Sequence, residues 1–316
     1  MDLLDKAITH TKQNAPFYKK FISLFSVVRG YVIAVIFVAQ LLSAIFVFAP
    51  NKTLSQVLLD YNLWALLLAT SVVVAAGYII NHFYDKGKDA INRPIRTHID
   101  TYISQGFKLK SYFFLNFLGF FLSLSVSWRA ALFFAVYIFL IWLYSHKLKR
   151  YPLVGLLGGA TLSILPFFVL FAYYKNFTDI IFVHASFLFF LLIIKDLIKD
   201  LENLKGDMLF NYKTIVISYG EQFTKLLITF VIVLSVIPIM FVMQYPEVGM
   251  MRYYFVIALF GLTVVGVLIW FSHSKQRYVY LHNIIRLIIL AGVFSLMFVD
   301  TNVIINKIIF RLAQVM

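Results

Sequence analysis

An all-α membrane protein of nine transmembrane helices, with no separate soluble domain and a cytoplasmic N-terminus, is the fold this sequence predicts. Three observations carry the expectation. The residues are 62% hydrophobic and only 13% charged, about half the charge of a soluble globular domain. Apolar runs long enough to cross a ~30 Å hydrocarbon layer as helices recur along almost the whole chain. The basic residues gather in alternate connections, as the positive-inside rule requires.

Residues 1–22 are polar and carry Lys6, Lys12, Lys19 and Lys20. They lack the early, short apolar core and small-residue cleavage site of a signal peptide, and read as a cytoplasmic lead-in. From 23 to 316 one transmembrane domain is expected. Its spans are placed over 23–48, 61–84, 111–127, 130–144, 153–173, 180–194, 223–243, 253–271 and 284–299. The third and fourth are short and separated only by Trp128 and Arg129, so one kinked segment is the competing reading there. Basic residues favour two spans. With nine crossings, 22 of the 28 Lys and Arg fall on the N-terminal side, and only Lys52, Arg129, Lys175, Arg252, Lys307 and Arg311 on the other. Merging the two spans would scramble that split. The net charge of +14 is therefore read as membrane orientation, and no nucleic-acid partner is expected. Without cysteine, disulfides, thiolate metal sites and cysteine nucleophiles are excluded.

Two acidic motifs stand where apolar runs end. The first is Asn81, Asp85 and Asp89 in "NHFYDKGKD"; the second is Asp196 and Asp200 in "KDLIKD". Steps of four residues set each group on one helical face, one turn apart. Five of the chain's 14 acidic residues, counting Glu202, lie in or beside these motifs. Both fall on the cytoplasmic side, four spans apart, so matching positions would let them face each other across a central cavity. The plain alternative pairs the acids with adjacent Lys86, Lys88, Lys195 and Lys199 at headgroup level. Taken together, two carboxylate sets beside lysines and arginines suit a magnesium-bound diphosphate, because Mg²⁺ binds through one or two carboxylates plus substrate phosphates. Such ions also make diphosphate a good leaving group. The loop "YSHKLKR" (144–150) supplies cations for phosphate oxygens. The 34 Phe, 19 Tyr and 4 Trp permit an isoprenoid tail and an allylic cation.

These residues resemble the UbiA superfamily of intramembrane prenyltransferases, whose first motif runs N-D-x-x-D-x-x-x-D, often into "DAINRP". Here Asn81, Asp85 and Asp89 match, and Asp89-Ala90-Ile91-Asn92-Arg93-Pro94 continues. Tyr144, Ser145 and Lys149 match Y-S-x-x-x-K, Asp196 and Asp200 match D-x-x-x-D, and Gly206-Asp207, Thr214 and Gly220 follow. The resemblance implies a nine-helix bundle around a cavity. It also implies Mg²⁺-dependent ionisation of a polyprenyl diphosphate, with prenyl transfer to a membrane-associated acceptor. Asn81, Asp85, Asp89, Asp196 and Asp200 would be catalytic and metal-binding; Lys149 and Arg29 would contact the diphosphate. His82 departs from the family's usual aspartate, Val32 from its R-x-x-N, and the stretch after Pro94 lacks the usual proline-serine-glycine turn.

The primary expectation for the acceptor is a small aromatic quinone precursor; the alternative is a glyceryl phosphate lipid. An ion-coupled transporter is a reading of another class, but transporters keep such acids near the midplane beside broken helices. A membrane alcohol phosphotransferase would need a glycine- and arginine-rich stretch between its acids, which is not seen. The expected setting is a multi-pass protein of a bacterial-type inner membrane, in contact with the lipid bilayer, its site opening near the cytoplasmic face.

Overall fold

The computed structural model describes residues 16–299, and every regular element among them is helical. The leading segment 1–15 and the basic residues Lys307 and Arg311 lie outside the described residues. Helix α1 (Phe17–Val27) is a short piece beside the bundle. It ends because Arg29 takes a left-handed backbone, φ 52°, a region costly for a residue with a Cβ. The first span therefore starts at Gly30 rather than at residue 23. It comprises α2 (Gly30–Ser43) and a π turn over Ala44–Phe48. The short α3 (Leu54–Leu58) is fixed by a capping box between Thr53 and Gln56.

Helix α4 (Tyr61–Asn92) has 32 residues. At 1.5 Å per residue it is about 48 Å long, well beyond a ~30 Å apolar layer. Its last turns, with Asp85 and Asp89, continue the second span as one rigid rod instead of entering a loop. After α5 (Pro94–Asp100) come α6 (Gln105–Val126) and α7 (Trp128–His146). They are separate spans. Ser127 alone breaks the helix, extended at φ −171°, ψ 157°, and its hydroxyl caps Ala130 N at 3.1 Å. Trp128 and Arg129 thus belong to α7 rather than to a linker.

Helix α8 (Pro152–Tyr174) contains Pro166, which has no N–H for the carbonyl one turn back. That carbonyl, on Leu162, accepts from Tyr137 Oη at 3.1 Å, while Gln40 Nε2 donates to Pro166 O at 2.7 Å. Helix α9 (Asp179–Leu209) is again long, 31 residues. Helix α10 (Ile215–Val242) is interrupted at Gly220, φ 86° and ψ 167°, a conformation only glycine adopts without strain. A 3₁₀ turn over Pro246–Met251 leads to α11 (Arg252–Leu268), and α12 (Lys275–Ser295) closes the bundle. The last span thus begins well before residue 284, since Tyr278, Leu281 and His282 already face inward.

Nine helices among the described residues are long and apolar enough to cross a membrane. They pack as two large cores, with a smaller cluster of Val27, Ala76, Ile79, Ile80 and Tyr112 beside them. One joins α8 to α9, α10, α11 and α12; the other joins α2, α4, α7 and α8. Helix α4 is the most enclosed of the nine and also packs on α6 and α9. Helix α9 is central to the first of these cores. Each acidic motif therefore sits on the middle helix of its half, where those two helices meet.

Candidate functional site

The structure extends both motifs into longer polar stripes. On α4 the stripe is Tyr78, Asn81, Asp85, Lys88 and Asn92; on α9 it is Asp196, Asp200, Asn203 and Asp207. Alternating steps of three and four keep each row on one face. The rows meet at the C-terminal ends of their helices. Gly206 N donates to Asn92 Oδ1 at 3.1 Å, and a Cβ on Gly206 would overlap the Asn92 amide. Lys88 Nζ lies 3.3 Å from Asp207 Oδ1, and Arg93 Nη2 lies 3.6 Å from Glu202 Oε1.

Asp85 is the buried anchor of the first row, 6% exposed. Lys149 Nζ donates to Asp85 Oδ1 at 2.7 Å and to Asn81 Oδ1 at 2.8 Å. It comes from the 3₁₀ turn Leu148–Arg150 after α7. Tyr212 Oη donates to Asp85 Oδ1 at 2.6 Å. Burial, and then the adjacent Asp85 charge, push the Tyr212 phenol well up, so it stays a proton donor. Lys88 stands 3.9 Å from the same carboxylate and 4.0 Å from the Tyr212 ring centre. The 144–150 loop is tied to the 210–214 turn by Lys213 N donating to Arg150 O at 3.0 Å.

The second row is more open. Asp196 is half-buried, with Lys195 Nζ at 3.5 Å. Asp200 is half-buried, and its carboxylate joins no hydrogen bond or ion pair among the described residues; the same holds for Asp89. Lys199 has Asp196, Asp200, Lys88 and Arg29 as charged neighbours. Arg29 sits 5.0 Å above the Tyr78 ring, so the helix break that shortens the first span also sets this cation at the rim. Tyr144 stands between the rows, within electrostatic reach of Asp85, Asp196 and Asp200. A Cβ on Gly159 would come within 2.8 Å of Tyr144 Oη and 3.5 Å of Asp196 Oδ2. Only the missing side chain leaves that floor open.

Pairing with sequence-adjacent lysines is realised at Lys195–Asp196 and, at long range, Lys88–Asp85. Lys86 is exposed and joins neither row. The main neutraliser of Asp85 lies 64 residues away. His82 turns out of the site altogether: Nδ1 is 3.6 Å from Asp100 Oδ2, and Nε2 is 3.2 Å from the buried Lys108 ammonium. Sequence reasoning missed Tyr212, for which no local signal exists, and took Lys88 only as a surface partner. The three-and-four alternation carrying Lys88 and Asn92 was there to be read.

An apolar cavity of about 130 Å³ opens between Ser43, Phe167, Leu188, Leu191, Tyr254 and Ile289, among others. Leu191 lies about 7.5 Å along α9 from Asp196, on the side away from the polar rows' meeting point. Among the described residues no three His, Cys, Asp or Glu side chains converge as a metal cage. The donors are oxygens on opposed helices, and one cation, the Lys149 ammonium, is already seated between Asn81 and Asp85. Such a donor set fits Mg²⁺ that keeps few protein ligands and takes the rest from phosphate and water.

The architecture is that of a polytopic membrane protein with a basin lined by acidic and basic side chains above an apolar chamber. The UbiA prenyltransferase family model matches residues 32–283, and the chain belongs to that family. The digeranylgeranylglyceryl phosphate synthase of Methanobrevibacter smithii is 31% identical over 180 residues, covering 54% of this chain and 62% of that protein. The enzyme of the same name from Sulfurisphaera tokodaii is 29% identical over 183 residues, covering 55% and 65%. The matches thus span less than two thirds of those relatives. Among solved structures, one of a digeranylgeranylglyceryl phosphate synthase superposes with TM-score 0.65 at 18% identity, covering 88% of this chain and 97% of the other. A UbiA homologue from Archaeoglobus fulgidus, bound to GPP and Mg²⁺, gives TM-score 0.64 at 14% identity, covering 87% and 99%. At these identities the likeness is one of fold.

Proposed function

We propose that this protein transfers an isoprenoid group from a prenyl diphosphate to a hydroxyl of a glyceryl phosphate lipid, inside the membrane and with Mg²⁺. The observation that carries the reading is the pair of opposed polar rows directly above an apolar chamber. A molecule with an anionic head and a greasy tail fits that arrangement. Asn81, Asp85 and Asp89 would hold Mg²⁺ on one side, and Asp196 and Asp200 on the other. Mg²⁺, when bound, supplies charge neutralisation for the departing diphosphate. Lys149 and Arg29 would bind diphosphate oxygens; the chamber would receive the prenyl tail and exclude water from the allylic centre.

The names of the curated relatives favour the lipid acceptor over the aromatic quinone precursor that ranked first on sequence grounds. Those relatives are archaeal and lend nothing to a bacterial setting. A cytoplasmic membrane, with the basin opening to the cytoplasm, is supported by the distribution of Lys and Arg. The test is transfer of labelled prenyl groups from geranyl, farnesyl and geranylgeranyl diphosphates by purified protein. Glyceryl phosphate lipid and aromatic acids serve as competing acceptors, with and without Mg²⁺. Ether-linked lipid product that vanishes with EDTA is expected. Transfer confined to the aromatic acceptors overturns the lipid assignment.

A further inference from the structure

Transfer to a hydroxyl releases a proton, and no group described so far is free to take it. Asp85, Asp89, Asp196 and Asp200 are proposed metal ligands, Asp207 is paired with Lys88, and Lys149 is committed to Asp85. One side-chain pair on the other flank of α9 has the required form. His282 Nδ1 lies 2.7 Å from Glu202 Oε2, with the imidazole 2% exposed. Glu202 is held in turn by Arg93 at 3.6 Å. A carboxylate that accepts from Nδ1–H fixes the tautomer and leaves the Nε2 lone pair open. Nε2 makes no hydrogen bond with the described residues.

Its position matters as much as its chemistry. His282 is two helical turns from Ile289, on the face of α12 that continues through Val293 and Leu296, and these three line the apolar chamber. The ring therefore sits about 10 Å above Ile289 along the helix, at the level of the polar basin. Asp196 and Lys199 are its charged neighbours across α9, and Arg286 on its own helix.

We propose that His282, oriented by Glu202, is the general base of the transfer, an assignment that rests on the proposed prenyl transfer to a hydroxyl. The allylic carbon–oxygen bond breaks with its electron pair leaving on the diphosphate. The acceptor oxygen forms the new carbon–oxygen bond, and its proton passes to His282 Nε2 and then to water. Glu202 is a positioning residue that keeps Nδ1 protonated and the ring aimed.

The experiment compares wild type, His282→Gln, His282→Ala and Glu202→Gln in nanodiscs, with geranylgeranyl diphosphate as donor and a glyceryl phosphate lipid as acceptor. General-base removal is expected to lower kcat roughly 100-fold or more, with KM for donor and acceptor within about threefold. Mg²⁺-dependent diphosphate release to water should persist in both His282 variants. Added imidazole should restore part of the rate to His282→Ala. Glu202→Gln should lose less rate than His282→Gln and no donor affinity. If donor binding and diphosphate release collapse together with transfer, the pair is only an interhelical clamp and the proposal fails. It also fails if His282→Gln transfers at the wild-type rate. A wild-type protein that releases diphosphate but alkylates no hydroxyl overturns the parent reading, and this one with it.

Discussion

Asp85→Asn is the substitution that most sharply separates the structural and chemical duties of the site. It changes one atom, yet Asp85 and Lys149 are 7% and 6% exposed at their side chains and 2.7 Å apart. Removing one partner of a buried pair strands the other charge, at a cost of roughly 3–5 kcal/mol. Lys149 keeps its bond to Asn81 Oδ1 at 2.8 Å, and Tyr212 still finds an amide oxygen to donate to. The loss should therefore fall near the lower end, about 3 kcal/mol of unfolding free energy. Replacing both charges, in Asp85→Asn with Lys149→Met, removes the stranded ammonium and should recover most of that loss. The double-mutant coupling is expected to be about 2 kcal/mol or more. Prenyl transfer, by contrast, should be lost in Asp85→Asn and remain lost in the double variant, because neither Mg²⁺ nor diphosphate regains its contact. The assay is chemical unfolding in detergent micelles alongside labelled prenyl transfer. Strictly additive stability losses would refute the buried pair, and activity returning with stability would refute the ligand role.

Asp200→Asn should behave oppositely, with unfolding shifted by less than about 1 kcal/mol while transfer falls at least tenfold, since its half-buried carboxylate holds no hydrogen-bond or ion-pair partner among the described residues. Gly206→Ala forces a methyl into the Asn92 amide; overpacking of this kind costs about 1–3 kcal/mol, and Asn92→Ala in the same chain should relieve it. Leu191→Trp fills the roughly 130 Å³ chamber, so the kcat/KM preference should move from geranylgeranyl towards geranyl diphosphate. An unchanged chain-length profile would mean the tail lies elsewhere.

Much of the bundle was legible because span formation is a local property: apolar length and the sidedness of Lys and Arg decide it residue by residue. The separateness of α6 and α7, argued only from charge, stands on a one-residue break at Ser127. The break at Arg29 was not legible, since nothing in the apolar run 23–48 marks a left-handed residue. The faces of the acidic motifs followed from steps of four. Which faces then met did not, because helix rotation about its axis is set by packing across the bundle. Thus His82, one residue from Asn81, points to Asp100 and Lys108 and away from the basin.

The sequence by itself determined the recurrence of membrane-length helices, the gathering of both acidic motifs towards the C-terminal ends of two of them and the oxygen chemistry they offer. Only the tertiary structure decided that Lys149 and Tyr212 close on Asp85, that Glu202 finds His282, and that an apolar chamber underlies them. Partners separated by 64 residues in one case and 127 in another are chosen by how helices pack. Local propensity carries no record of that choice.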